Sequence, residues 1–299
     1  MYGLNNQKMK IKFLGTSAGW PLPRLGCTCE LCSSRDPKDT RTRTQLLVND
    51  TILLDAGPDT YRHLIGDSIA EFTPNKKKRS FANAQDDTSE ELQNDRGEKA
   101  LYSKKVDPTK IKAVLVSHAH LDHIQGFWDL THIYNSCKPI DVFVTLPVLN
   151  EIRKFISIHG QNLKINVVKP NQPFLIHHVK VEYFPVIHGK TSAFGIKLKE
   201  NKIFIYITDF RRILPSQERT IKYADYWAID GSTLGKIGQG PGHISIQDAI
   251  QLAKKYKIKN TYFVHIGHKT GTHQFLEEYL KINAGPNYHI AFDGQELKL

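Results

Sequence analysis

The sequence predicts an α/β (α+β) fold in which two β-sheets are covered by helices. β-Rich runs dominate the first half of the 299 residues, and strands and helices mix in the second. Three segments with helical periodicity supply the covering layers.

In chain order, "MKIKFLG" (9–15) alternates apolar and polar residues and reads as a first strand. "QLLVNDTILLDAG" (45–57) reads as two strands joined at Asn49-Asp50, a turn-prone pair. "IKAVLVS" (111–117) is a short β-branched run, the pattern of a buried strand, and it ends at "HAHLDH". Further strands are expected at 141–145, 164–168, 178–184, 194–199, 202–207, 225–230, 261–265 and 288–292. Helices are expected at 147–158, 243–257 and 272–282, and "IQGFWDL" (124–130) looks helical. One stretch, 73–105, is rich in Lys, Asp, Glu, Asn and Gln with almost no apolar periodicity. Such a composition buries too little surface to offset its ordering entropy, so it reads as a disordered insertion in a single 1–299 domain. Residues 71–105 hold eight basic and seven acidic side chains, so the net charge of +11 comes from the rest of the chain.

That basic balance suits an anionic substrate or partner, nucleic acid included, without selecting one. No apolar run approaches the roughly 20 residues of a membrane span, and the first residues lack the apolar core of a signal peptide, so a cytoplasmic protein is expected. Of four cysteines, Cys27, Cys29 and Cys32 crowd into "GCTCELC" and Cys137 stands alone. Three thiols in six residues argue for a metal site in a reducing compartment. A tetrahedral zinc site then needs a fourth ligand from elsewhere.

"SHAHLDHIQG" (117–126) places His118, His120, Asp122 and His123 in the loop between a strand and a helix. Positions i and i+2 of a helix point apart, whereas in an extended loop they point the same way. The spacing therefore suits two adjacent metals, with His118 and His120 on one and Asp122 and His123 on the other. Histidine and carboxylate accept zinc, manganese or iron. Three more ligand-type residues directly follow β-rich runs: His188 after "VEYFPVI", Asp209 after "KIFIYIT" and His265 after "TYFV".

With these residues the sequence resembles the metallo-β-lactamase superfamily, from about Met9 to Leu299 apart from the insertion. The resemblance implies an αββα sandwich of two mixed β-sheets. It implies that His118, His120 and His188 hold one divalent metal ion, Zn or Mn, that Asp122, His123 and His265 hold a second, and that Asp209 bridges them. "LLDAG" (53–57) looks like the superfamily's early aspartate motif, with Asp55 bracing the metal loops. The early C-x-C-x-x-C and "VHIGH" (264–268) resemble the PhnP-type cyclic phosphodiesterase branch, where three cysteines and the second His of a late H-x-x-H bind a structural Zn. Here these would be Cys27, Cys29, Cys32 and His268.

His243 precedes a helix at a glycine-rich turn, where it either caps or faces solvent; by the resemblance it faces the metals and handles the phosphate or leaving group. Two metals roughly 3.5–4 Å apart generate a strong nucleophile at neutral pH. The implied activity is hydrolysis of a small or cyclic phosphodiester, such as a ribose 1,2-cyclic phosphate. The alternative is an RNase Z-like or exonuclease-type nuclease acting on nucleic acid with the same centre. Arg41 and Arg43 are either surface arginines or a phosphate clamp. A homodimer is implied by the resemblance alone. An inert metal-binding scaffold would be expected to lack a ligand, yet all seven positions are filled.

Overall fold

A computed structural model describes residues 8–65, 106–133, 139–156, 162–235 and 242–299. The expected insertion at 73–105 and Cys137 lie outside the described residues. The first sheet contains β1 (Lys10–Gly15), β2 (Gln45–Val48), β3 (Ile52–Leu54), β4 (Ala113–Leu115), β5 (Ile140–Thr145), β6 (Leu163–Val168) and, from the end of the chain, β15 (Glu296–Lys298). Their order is β15-β1-β2-β3-β4-β5-β6. Pairing is antiparallel as far as β3 and parallel from β3 to β6. The β2–β3 hairpin turns at Asn49 and Asp50, with φ of 48° and 57°. The Thr51 N–H closes this turn on the Val48 carbonyl, and Asn and Asp are the residues that tolerate two successive left-handed positions.

The second sheet contains β7 (Phe174–Ile176), β8 (Val179–His188), β9 (Thr191–Lys199), β10 (Ile203–Ile207), β11 (Arg212–Ile213), β12 (Tyr226–Asp230), β13 (Asn260–Val264) and β14 (Tyr288–Ile290). Its order is β11-β8-β9-β10-β12-β13-β14, with β7 paired to β8. β8, β9 and β10 are antiparallel, and β10, β12, β13 and β14 are parallel.

Side-chain alternation sorts the two faces of this sheet. Phe204 and Tyr206 of β10, Ala228 of β12, and Tyr262 and Val264 of β13 join Phe13, Leu46 and Val114 in the core between the sheets. Their neighbours Ile205, Ile207, Trp227, Ile229 and Phe263 point the other way, into a cluster with Ile221 of α5 (Glu218–Ile221), α6 (Ile246–Tyr256) and α7 (His273–Asn283). The stripe Ile246, Ala249, Ile250, Ala253 and Tyr256 is the buried face of α6. On the first sheet, α1 (Thr60–Ile65), α3 (Phe127–Leu130) and α4 (Leu146–Ile152) bury Leu64, Phe127, Leu130, Val148 and Leu149. The layers are thus helix, sheet, sheet, helix, as the resemblance implied.

Several boundaries differ from expectation for local reasons. The strand expected at 111–117 is only 113–115, because Ser117 leaves the ladder to bond Asp55 through both its N–H and its hydroxyl. The helix expected at 243–257 begins after Ser245, whose hydroxyl accepts from Asp248 N–H as an N-cap, so His243 stays in the preceding loop. The helix expected at 147–158 is seven residues, Leu146–Ile152. The short strands β7 and β11 were not expected.

Parallel strands put their C-terminal ends on one edge. β8 runs in the same direction as β10, since both are antiparallel to β9. Asp55 after β3, His118 after β4, His188 at the end of β8, Asp209 after β10, Asp230 at the end of β12 and His265 after β13 therefore gather in one place. Among the described residues, no helix is long and apolar enough to cross a membrane.

Candidate metal centre

The loop after β4 carries His118 and His120, and His120 immediately precedes α2 (Leu121–Ile124), which carries Asp122 and His123. Gly57 makes this possible: a Cβ there would collide with the Asp122 carbonyl, so only glycine lets α2 sit on the "LLDAG" loop. The structure brings together His118, His120, His188 and Asp209 as one group, and Asp122, His123 and His265 as a second, each with ligand atoms within 4.8 Å of one another.

Asp209 stands between the groups. Its Oδ1 lies 3.9 Å from both His118 Nε2 and His188 Nε2. Its Oδ2 lies 3.2 Å from His123 Nε2 and 3.5 Å from His265 Nε2. Asp122 Oδ2 completes the second group at 3.3 Å from His123 Nε2 and 3.5 Å from His265 Nε2. His188 Nε2 and His120 Nδ1 are 3.2 Å apart.

Outward hydrogen bonds set which ring nitrogen each histidine turns inward. Asp55 is fully buried, with φ of 62°, a left-handed backbone that costs about 1 kcal/mol or more. Its Oδ2 accepts from His123 Nδ1, the Ser117 hydroxyl and the Tyr206 hydroxyl, each at 2.8 Å, and its Oδ1 accepts from Ser117 N–H at 2.7 Å. His118 Nδ1 donates to the Ser117 hydroxyl at 3.0 Å. His188 Nδ1 donates to the Gly242 carbonyl at 2.9 Å, and His120 Nε2 is hydrogen-bonded with Thr191 Oγ1 at 3.1 Å. The inward atoms left are His118 Nε2, His120 Nδ1, His188 Nε2 and His123 Nε2.

Of the atoms facing the cluster, His118 Nε2, His123 Nε2 and Asp209 Oδ2 are buried and have no hydrogen-bond partner. Buried orphans of this kind each cost about 1–3 kcal/mol unless something satisfies them, and a divalent cation would satisfy all three together. The donor set, imidazole and carboxylate, suits zinc, manganese or iron. The carboxylates are held in the charged form that a cation needs. Burial opposes ionisation of Asp209, but His265, His123 and His118 outweigh it and keep it well below the usual carboxylate range. Asp122 is likewise held far below that range, against burial, by His123 and His265. His118 is driven well below the ordinary imidazole value by burial and by His123.

His243 lies in the same cluster, within ligand distance of Asp209 and His265. Its Nδ1 donates to Asp230 Oδ2 at 2.7 Å. Burial opposes protonation of His243, but the Asp230 hydrogen bond and charge overcome it and push its pKa up to about 9. Arg211 Nη1 donates to the His243 carbonyl at 3.3 Å. The sequence reading missed Asp230, a fully buried carboxylate at a strand end in "YWAIDGS". The signal was there, since it follows its strand as Asp209 follows "KIFIYIT".

A second cluster lies nearby. Cys27 Sγ and Cys29 Sγ are 3.2 Å and 3.3 Å from His268 Nε2, and Cys32 joins them within metal-ligand spacing. Burial pushes the Cys32 thiol up to about 11, whereas the backbone N–H of Cys32 and the Cys27 side chain lower Cys29. Thiolates are what a tetrahedral zinc site requires, and a bound ion overrides both shifts. His265 has a left-handed backbone, φ 57°, and Gly267 packs where a Cβ would strike the Ser232 carbonyl. That turn sends the two histidines of "VHIGH" to different clusters.

Arg41 corrects the expectation of a surface residue or a phosphate clamp. It is 1% exposed, and it donates to Thr16 Oγ1, the Ala291 carbonyl and His273 Nδ1. Arg43 pairs with Asp59 at 3.1 Å and donates from Nε to the Gly19 carbonyl. It braces the loop whose Gly19 abuts Asp122, where an added Cβ would lie 3.4 Å from Oδ2.

Comparisons with known proteins bear on this geometry. The family described as "Beta-lactamase superfamily domain" matches residues 50–266. An octanoyltransferase of Porphyromonas gingivalis is 28% identical over 298 residues, 96% of this chain but 51% of that protein. The chain thus spans about half the length of this relative. A diphosphatase from the PhnP family aligns over 98% of both chains, with a TM-score of 0.75 and 21% identity. Zinc-bound PqqB from Methylobacterium extorquens aligns over 97% of this chain and 100% of its own, with a TM-score of 0.70 and 20% identity. The two structural likenesses establish the architecture, and the family match covers well over half of the chain. The chain belongs to the beta-lactamase superfamily and has the metallo-β-lactamase fold.

Proposed function

We propose that this protein is a metal-dependent hydrolase that cleaves a small or cyclic phosphodiester, such as a ribose 1,2-cyclic phosphate, at a dinuclear centre. In this reading His118, His120 and His188 hold one ion, Asp122, His123 and His265 hold the other, and Asp209 is shared. The observation that carries it is the division of Asp209, with Oδ1 toward one group and Oδ2 toward the other. Two zinc or manganese ions bound there would supply an activated water and neutralise charge on the phosphoryl oxygens. Cys27, Cys29, Cys32 and His268 hold a separate structural zinc.

The remaining chemistry falls to the chain's own side chains. Asp55 fixes the His118 and His123 rings through Ser117 and directly, so that ligand geometry precedes substrate binding. Phosphodiester cleavage requires a proton on the departing oxygen. His243 is the candidate donor, because Asp230 occupies its Nδ1 and leaves Nε2 as the nitrogen that can hold and deliver that proton. Asp230 orients the ring and stabilises its cation, as a buried carboxylate does for a catalytic imidazole.

The PhnP-family likeness to a diphosphatase supports phosphorus chemistry. The octanoyltransferase name belongs to a protein about twice as long as the part that matches, so its activity is not carried over. A nuclease reading is favoured by the net charge of +11. Turnover of ribose 1,2-cyclic phosphate and cyclic nucleotides by the metal-loaded chain, compared with precursor tRNA and single-stranded DNA, separates the two. Hydrolysis confined to the polymers would refute the small-substrate reading.

A further inference from the structure

Trp20 is an aromatic side chain that the fold leaves 64% exposed, on a loop with little freedom to move. The Ser17 hydroxyl donates to the Trp20 carbonyl at 2.6 Å, and Ala18 N–H donates to the carbonyl of Ile266, the residue after His265. Gly19 lies against Asp122, and Arg43 holds its carbonyl. Leu22 and Arg41 exchange backbone hydrogen bonds at 2.8 Å and 2.9 Å. The segment 17–22 is therefore fastened at both ends, next to two proposed ligands of one metal.

The Arg24 guanidinium lies over the Trp20 ring, 5.1 Å from its centroid. The Arg24 backbone is anchored in turn, because its main-chain N–H donates to Cys32 Sγ at 3.3 Å. Its Nε is buried without a hydrogen-bond partner, so packing against the ring accounts for its placement more than polar bonding does. Arg24 covers one side of the ring, and the residue as a whole keeps nearly two thirds of its surface open to solvent. An exposed tryptophan on a flexible loop would have no consequence. One held rigid beside a hydrolytic centre, with a cation behind it, is a stacking platform for a planar, electron-rich ring.

We propose that Trp20, backed by Arg24, stacks the nucleobase of a nucleotide phosphodiester whose phosphate lies at the metal centre. This rests on the phosphodiesterase reading and narrows its substrate class from sugar phosphates to nucleotides. It also gives the three-cysteine cluster a role in substrate recognition, since Cys32 fastens the residue that supports the platform. The net charge of +11 favours such anionic ligands.

The test compares 2′,3′-cyclic AMP with ribose 1,2-cyclic phosphate, which has no base, in the full-length metal-loaded chain. The readout is the ratio of kcat/KM for the nucleotide to that for the ring-free substrate. Trp20→Ala should lower this ratio roughly 5- to 150-fold, the range that base–aromatic stacking contributes, through KM rather than kcat. Trp20→Phe should restore most of it, and Arg24→Ala should lower it less. An unchanged ratio in Trp20→Ala, or a loss that Trp20→Phe does not rescue, would overturn the proposal. If neither substrate turns over, the phosphodiesterase reading fails instead, and adenosine 5′-monophosphate binding by equilibrium dialysis then decides this one. Binding weakened by Trp20→Ala supports the platform, and no binding, or equal binding, refutes it.

Discussion

Replacing Asp55 with alanine removes one carboxylate and leaves four donors without their acceptor: Ser117 N–H, the Ser117 hydroxyl, the Tyr206 hydroxyl and His123 Nδ1–H. Hydrogen bonds to a charged acceptor contribute about 1.5–3 kcal/mol each, so a simple sum lies near 6–12 kcal/mol. Two effects reduce it. Burying the carboxylate itself costs several kcal/mol, which the substitution recovers. The Ser117 and Tyr206 hydroxyls can also rotate toward water that enters the vacated space. Against this, alanine tolerates the left-handed backbone at position 55 less well than aspartate does, by about 1 kcal/mol. The net expectation is a loss of about 4 kcal/mol, read as a lower urea midpoint at unchanged slope. Because His123 loses its outward partner, chelator competition should also show metal affinity falling about 10- to 100-fold. Asp55→Asn keeps the size and the backbone preference but sets an amide donor against other donors, so it should fall between wild type and alanine. A stability loss under 1 kcal/mol with unchanged metal affinity would refute the bracing role.

Cys29→Ser should release about one metal ion per chain and lower Tm while part of the activity survives, whereas His265→Ala should abolish turnover with the fold retained. Equal losses of stability and turnover in both would mean a single merged site. Arg41→Met should destabilise by about 3 kcal/mol or more in urea denaturation, because the Thr16 hydroxyl, the Ala291 carbonyl and His273 lose a buried charged donor. A loss below 1 kcal/mol would show that those groups find other partners. Burial, Arg41 and Lys38 hold His273 down to about 4, below its ordinary value of 6.5. The unfolded chain therefore takes up that proton first. The stability contributed by neutral His273 is complete above pH 6.5 and is lost as pH falls from 6.5 through 4. His273→Gln should flatten the fall in Tm over that window relative to wild type, and an identical slope would contradict the assignment.

Much of the candidate site's clustering was legible, because ligand-type residues stand at fixed spacing and at strand ends. H-x-H-x-D-H, followed by single ligand-type residues at strand ends, pointed to His188, Asp209 and His265 before any geometry was available. The hairpin at Asn49-Asp50 was legible for a similar reason, since few residue pairs tolerate two left-handed positions. Asp230 was not legible, because a strand-end aspartate is ordinarily a turn former and only its contact with His243 marks it. Arg41 misled because arginine is almost always exposed, and its burial depends on acceptors 25, 232 and 250 residues away. The two-residue β11 and three-residue β7 are stabilised by pairing with β8, and they are too short to carry a periodicity of their own.

The most direct test of the account is metal content measured together with turnover in Asp209→Ala. Wild type should carry about three metal ions per chain and hydrolyse a ribose or nucleotide cyclic phosphate. The variant should keep the one held by Cys27, Cys29, Cys32 and His268, lose most of the other two, and fall in kcat/KM by at least about a thousandfold. A variant that retains three ions and wild-type turnover would show that Asp209 bridges nothing and that the dinuclear centre is wrong.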